Sequence, residues 1–239
     1  AVTPIALDHE AMFGVSGIAA IARIKAGIMR KATPVVFAAQ IPEARLVLER
    51  AAQAIGASAY AAGREWSARW DGAAFVYEGQ GLVVRAPWLG LAGRHQAENA
   101  GVACAVVEQL GLSIEPEVLA AGLREAAWPA RQQRLKPGAL VSAAGADWRG
   151  ALIVDAAHNP AGAATLAQAI HAGRPQLGSD KATLILASQT TKDIGGMLDA
   201  LMPVADEVIA CRLPDSGGQE GGPAAEPDAI AELVGARGG

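Results

Sequence analysis

Asp155 and His158 stand three positions apart in the stretch Leu152-Ile153-Val154-Asp155-Ala156-Ala157-His158-Asn159-Pro160. A short β-branched run ends at the acid, a turn of small residues follows, and an alanine-rich helical pattern runs from Pro160 to about Ala172. Pro160 suits the first helical position and Asn159 a cap, so the stretch reads as strand, turn and helix start. In an open α/β sheet, ligands gather at the carboxyl ends of strands, where helix N-termini offer N–H groups to anions. Asp155 and His158 would sit on that rim. The same residues also suit a plain capped turn with two polar side chains at the surface.

Four further groups have chemistry in them. Asp8-His9 ends an apolar run, and Lys25 lies on the helical pattern that follows. An ammonium repels a cation, but a lysine that has added carbon dioxide becomes a carbamate with oxygens suited to Mg²⁺. A strand-end histidine and a solvated helix lysine account for the same residues. In Gly93-Arg94-His95-Gln96-Ala97-Glu98-Asn99, one helical turn separates His95 from Asn99, so both side chains can face one ligand. An asparagine carries the paired donor and acceptor that match a purine edge; ordinary helix-start polarity is the competing reading. Trp128-Pro129-Ala130-Arg131 breaks the helical pattern, and an arginine there can reach a phosphate bidentately or form an interdomain ion pair. Lys192-Asp193 follows another strand and suits either a ligand loop or a solvated pair.

The elements that must position these groups alternate. Apolar runs at 2–7 and 33–39 are expected as strands, with helices at 16–29 and 42–55, the latter opened by Pro42 and closed by Gly56. This β-α-β-α order signals parallel strands with crossover helices. Phe75-Val76-Tyr77 and Leu82-Val83-Val84 flank Glu78-Gly79-Gln80-Gly81, a hairpin pattern. Helices are expected at 96–110 and 116–126, and a domain boundary near 128–134. Strand and helix segments then repeat at 139–144, 151–155, 160–172, 182–187, 194–202, 206–210 and 227–236, with a glycine-rich loop at 216–225.

Composition narrows the class. The 239 residues are 51 % hydrophobic, 18 % charged and only 4 % aromatic, with a net charge of −4. An alanine- and glycine-rich apolar share favours helices packed on a sheet. The acidic balance and the lack of a long basic run exclude a groove built on phosphate neutralisation, so no nucleic-acid partner is expected. Two isolated cysteines, Cys104 and Cys211, suit buried thiols of a reducing, cytoplasmic setting. No apolar run approaches a membrane span and no leader pattern is seen. The chain starts at Ala1 within what reads as a strand already under way, so it is expected to be part of a larger protein.

Taken in order, Leu7-Asp8-His9, Lys25-Ala26-Gly27-Ile28, Gly93-x-His95-Gln96-x-x-Asn99, Trp128-Pro129-x-Arg131-x-Gln133, Asp155-x-Ala157-His158-Asn159-Pro160 and Lys192-Asp193 resemble the folylpolyglutamate synthase/dihydrofolate synthase family of the Mur ligase superfamily. The resemblance covers nearly the whole chain. It implies an α/β protein: the remainder of a P-loop-type ATPase domain over residues 1–127, followed by a Rossmann-like Mur ligase C-terminal domain over 131–239. It also implies an ADP-forming ligase with its site between the domains. ATP phosphorylates a substrate carboxylate, and the amine of L-glutamate attacks the acyl phosphate. The substrates implied are dihydropteroate or folylpolyglutamate, with ATP and Mg²⁺ as cofactors, in a cytoplasmic monomer.

Carried over residue by residue, His9 resembles a Mg²⁺ ligand and Lys25 the carbamylated lysine that helps hold metal and acyl phosphate. Asn99 resembles the adenine contact. Arg131 resembles the cross-domain phosphate contact, and Asp155 and His158 resemble nucleotide-binding residues. Lys25, Arg131 and His158 would be the catalytic set. The sequence departs from the family at Ile24, where an acid is usual, at Glu10, where threonine is common, and at Ala130, where glycine is expected. No Gly-x-x-x-x-Gly-Lys-Ser/Thr loop occurs, so these residues alone are expected not to turn over ATP. A Mur-type cell-wall peptide ligase and a non-catalytic nucleotide- or folate-binding paralogue are the competing readings. The lack of a Gly-x-Gly-x-x-Gly fingerprint argues against a Rossmann dehydrogenase.

Overall fold

The computed structural model describes residues 1–7, 14–143, 145, 150–173, 181–214 and 222–238. They form two compact α/β units, Ala1–Trp128 and Pro129–Gly239.

The first unit starts with less strand than the sequence suggests. Val2 forms one parallel bridge to Phe37, donating to Val36 O at 2.8 Å and accepting from Ala38 N at 2.9 Å. Pro4 has no N–H for a ladder. The Gln40 side chain substitutes for a strand here: its Nε2 donates to Thr3 O at 2.9 Å and its Oε1 accepts from Ile5 N at 3.1 Å. After helix α1 (Ile18–Ala26), strand β1 (Val35–Phe37) pairs in parallel with β2 (Ala59–Ala61), in the register Val35 to Ala59. Between them runs α2 (Pro42–Ile55), opened by Pro42 and closed by Gly56 at φ 68°. Ala44, Leu48 and Ala52 recur at helical spacing and are buried with Phe37, Ile21 and Ala22 in one core cluster.

A meander follows: β3 (Ser67–Trp70), β4 (Phe75–Glu78) and β5 (Val83–Ala86), antiparallel throughout. The hairpin of β4 and β5 is the one the sequence predicts; β3 is not legible there. Helix α3 (Gln96–Gln109) lays Ala97, Ala100, Cys104 and Ala105 against buried Trp66, Phe75, Tyr77 and Val84. Gly101 is where the helix comes closest. A Cβ there would sit 2.4 Å from Ala68 Cβ and 2.7 Å from the Trp66 ring. Helix α4 (Pro116–Glu125) covers β5 and buries Ala120.

Both ends of α3 are tied down. Near its start, the Glu98 carboxylate accepts the Ala39 N–H at 3.0 Å, just past the carboxyl end of β1. Near its end, Glu108 gathers the hydroxyls of Tyr60 and Tyr77 and the N–H of Gly81 in the hairpin turn.

The second unit begins with β6 (Gln133–Arg134), antiparallel to β7 (Ile153–Val154). A short helix α5 (Ala139–Ala143) lies between them. Helices α6 (Pro160–Gly173), α7 (Ile194–Leu201) and α8 (Pro227–Gly235) and the parallel pair β8 (Thr183–Leu186) and β9 (Glu207–Ala210) supply its core. That core buries Ala163, Ala167, Leu186, Ile194, Met197, Leu198 and Ile230. Among the described residues no helix is long and apolar enough to cross a membrane. Residues 215–221, in the expected glycine-rich loop, lie outside the described residues.

Candidate functional site

In the second unit the structure gathers the turn after β7 and the turn before β6. The Asp155 carboxylate accepts the N–H of Ala157 through Oδ1 at 2.8 Å and the N–H of Gln132 through Oδ2 at 2.8 Å. The first bond closes the tight turn at the strand end. The second reaches 23 residues back along the chain. Ala156 N donates to Ala130 O at 2.9 Å and Ala130 N to Gln133 Oε1 at 3.0 Å, so the segment 130–133 is fixed on both sides. Arg131 sits in the middle of it, exposed. Its neighbours Ala130 and Gln132 have φ of 54° and 48°, two of the three left-handed non-glycine residues among those described. Such conformations cost energy and persist only where surrounding bonds hold them.

His158 is exposed in the same turn, with its Nδ1 3.0 Å from Ala156 O. A ring that donates from Nδ1 is the tautomer whose acceptor nitrogen is Nε2. Asn159 Oδ1 accepts Gly162 N at 2.8 Å and caps α6, the cap its sequence position suggests. Asp193 Oδ1 likewise accepts Gly196 N at 2.8 Å and caps α7. The Lys192-Asp193 pair thus leads into a helix, with Asp193 as its exposed cap. A Cβ on Gly196 would meet Pro160 Cγ at 2.8 Å, so the first turns of α6 and α7 are packed together.

In the first unit, His95, Gln96 and Asn99 form a chain at the start of α3. Gln96 is only 4 % exposed. Its Oε1 accepts Asn99 Nδ2 at 3.0 Å, and its Nε2 lies 2.9 Å from His95 Nε2. The buried glutamine therefore orients both residues that the helical spacing singles out. Asn99 itself is exposed. Burial pushes the Glu98 carboxyl above its ordinary range, and the single bond from Ala39 only partly offsets this. Gln96 had a place in the motif but no role assigned from sequence.

Lys25 is exposed in the last turn of α1, next to Arg23 in the same turn. Asp8, His9 and Glu10 lie outside the described residues. Among the described residues no three His, Cys, Asp or Glu side chains gather into a metal-holding group. The described donor set therefore does not make a magnesium site by itself.

The chain is similar to known proteins along almost its full length. A family model described as "Dihydrofolate synthetase, C-terminal domain" matches residues 143–221. The "Dihydrofolate synthase/folylpolyglutamate synthase" of Mycobacterium tuberculosis is 31 % identical over 224 residues, covering 87 % of this chain and 43 % of that protein. The structure described as "E. coli FolC in complex with DHPP and ADP" superposes with a TM-score of 0.80 at 26 % identity, covering 98 % of this chain and 50 % of that one. A bifunctional folylpolyglutamate synthase/dihydrofolate synthase "with Mn, AMPPNP and L-Glutamate bound" gives a TM-score of 0.74 at 25 % identity, covering 97 % of this chain and 51 % of that one. The chain spans between 25 % and 51 % of the lengths of the curated relatives it matches.

Proposed function

Because the chain belongs to the folylpolyglutamate synthase/dihydrofolate synthase family, we propose that it serves an ATP-dependent, ADP-forming ligation of L-glutamate to dihydropteroate or to a folylpolyglutamate. The observation that carries this reading furthest is the fixed turn pair of the second unit. A strained, pre-set segment presents Arg131 beside the turn that bears His158. Relatives of similar fold were solved with ADP, AMPPNP and L-glutamate.

The chemistry assigns each residue a task. Transfer of a γ-phosphoryl group to a carboxylate demands positioning and charge neutralisation more than covalent help from the protein. Arg131, always charged and planar, binds phosphate oxygens in two places at once. His158, with its acceptor nitrogen at Nε2, takes a proton or a hydrogen bond at the nucleotide. Asn99, oriented by Gln96, reads the adenine edge with one donor and one acceptor. His9, which lies outside the described residues, and Lys25, as a carbamate, would hold Mg²⁺ with further ligands; the metal would supply further charge neutralisation. Displacement of phosphate from the acyl phosphate by the glutamate amine completes the amide. The reading also implies a cytoplasmic monomer.

The test uses the complete protein that carries this chain. ADP release should require both L-glutamate and either dihydropteroate or a folate, and Arg131→Ala should cut the rate at least about tenfold, as expected when a charged hydrogen bond to phosphate is lost. ADP release driven by a cell-wall peptide precursor in place of the folate would overturn the substrate assignment. Tight ATP binding with no ligation of either acceptor would overturn the enzymatic one.

A further inference from the structure

We infer that Gln96 is a specificity-determining residue that acts through Asn99: by fixing which way round the Asn99 amide stands, it makes the site choose an adenine nucleotide over a guanine nucleotide. The inference rests on the reading of Asn99 as the base contact. Its own support is the wiring at the start of α3. Asn99 is exposed, and an exposed asparagine amide can stand either way round, with oxygen and nitrogen exchanged. Here Asn99 Nδ2 donates to Gln96 Oε1 at 3.0 Å. Turned over, Asn99 would set its Oδ1 against that oxygen, two acceptors facing each other. Gln96 is itself held: it is only 4 % exposed, and its Nε2 lies 2.9 Å from His95 Nε2. The backbone beneath both residues is held too, by buried Ala97 and Ala100 and by the Ala39 N–H that donates to Glu98 Oε1 at 3.0 Å.

The sense of the amide decides between the purines at position 6. Adenine carries a donor there, the N6 amino group, and guanine an acceptor, O6. With one Nδ2–H engaged by Gln96, Asn99 offers a ligand its Oδ1 and the remaining N–H. That edge pairs with adenine and sets oxygen against oxygen with guanine. An amide released from Gln96 would serve either base by turning over.

The experiment measures the affinities of non-hydrolysable ATP and GTP analogues for the complete protein and for Gln96→Leu, Gln96→Met, Gln96→Glu, Asn99→Ala and the Gln96→Leu/Asn99→Ala double variant. The readout is the ratio of the two affinities in one preparation, which partial unfolding leaves unchanged because both ligands meet the same active fraction. Gln96→Met, closer to glutamine in length, stands in for Gln96→Leu where the latter fails to fold.

The parent should favour the ATP analogue. Gln96→Leu and Gln96→Met should lower that preference by roughly threefold to tenfold, the worth of one oriented hydrogen bond, by weakening the ATP analogue and sparing the GTP analogue. Asn99→Ala should lower it at least as far, and the double variant no further than Asn99→Ala. Gln96→Glu keeps an acceptor facing Asn99 Nδ2 and should hold the preference to within about twofold of the parent.

A Gln96→Leu or Gln96→Met variant that weakens both analogues alike, losses that add in the double variant, or a preference lost as fully in Gln96→Glu would overturn the role of Gln96 while leaving that of Asn99 intact. Equal affinity of the parent for the two analogues, or a preference that survives in Asn99→Ala, would overturn the base contact itself, and the role of Gln96 with it.

Discussion

The hydroxyl of Tyr77 donates to Oε2 of Glu108 at 2.6 Å, joining the middle of a three-stranded meander to the last turn of the helix packed on it. Tyr60 donates to the same oxygen at 2.7 Å, and Gly81 N donates to the other at 2.6 Å. Burial pushes the Glu108 carboxyl upward, but the Tyr77 hydroxyl, the Gly81 N–H and the Tyr60 hydroxyl outweigh it and hold the group below its usual range. Burial, together with the same contact, drives the Tyr77 hydroxyl far above its ordinary value.

A pH dependence follows from the Glu108 shift. The folded value is lower than the unfolded one, so its stabilisation is fully present above the unfolded pKa of roughly 4.3 and is lost as pH falls through the folded value. Glu108→Gln should lower stability at neutral pH by about 1–3 kcal/mol, the usual cost of disturbing a partly buried charged acceptor. Its stability should also fall less steeply in acid than that of the parent. Urea titrations at pH 7 and at pH 3.5 check both. Equal acid sensitivity in parent and variant would show that this carboxylate is not the one titrating.

Ala130→Gly should stabilise the protein. Ala130 has a φ of 54°, a region where a Cβ is strained and a glycine is not. Relief of the strain exceeds the added freedom of glycine in the unfolded chain, and a gain of about 0.5–1 kcal/mol is expected. The midpoint of thermal unfolding checks it, and a lowered midpoint would mean that the alanine methyl contributes packing that outweighs its strain.

Gly101→Ala should have the opposite sign. The new methyl would be 2.4 Å from Ala68 Cβ, and Trp66 is only 3 % exposed with its indole N–H donating to Tyr60 O at 3.2 Å. Neither neighbour is the loose end of a flexible side chain, so α3 must lift off β3. Overpacking of this kind costs about 1–3 kcal/mol. Denaturation followed by tryptophan fluorescence measures it. A neutral result would mean that the helix can slide without penalty.

Much of the fold was legible because its signals are local. Pro42 and Gly56 bracket α2 at the residues where it begins and ends, and two apolar runs around Glu78-Gly79-Gln80-Gly81 announce the hairpin. The strand β3 was not legible: Ser67-Ala68-Arg69-Trp70 has no apolar run, and it exists because β4 offers it a partner. The pair Gln133-Arg134 is two polar residues made a strand by Ile153 and Val154 some twenty residues later. The run from Val2 fell short of a strand because Pro4 lacks a donor and Gln40 takes over the pairing.

The candidate site was legible in its residue types and not in its wiring. Asp155, His158 and Asn159 signalled a strand end and a helix cap, and the cap is there. The partner of Asp155 was invisible, because a backbone N–H such as that of Gln132 has no signature in sequence. One clue did exist. The resemblance implies a glycine where Ala130 stands, and the structure holds this alanine in the left-handed backbone that glycine tolerates.

Helix α3 runs unbroken from the turn that carries Asn99 to the turn that carries Glu108. Its fourteen residues make a stiff rod about 20 Å long. It works as a lever pinned at both ends, to Ala39 by Glu98 and to the hairpin by Glu108. A tilt forced at the hairpin would therefore be carried along the rod toward the turn of Asn99, against the hold of Glu98 on Ala39.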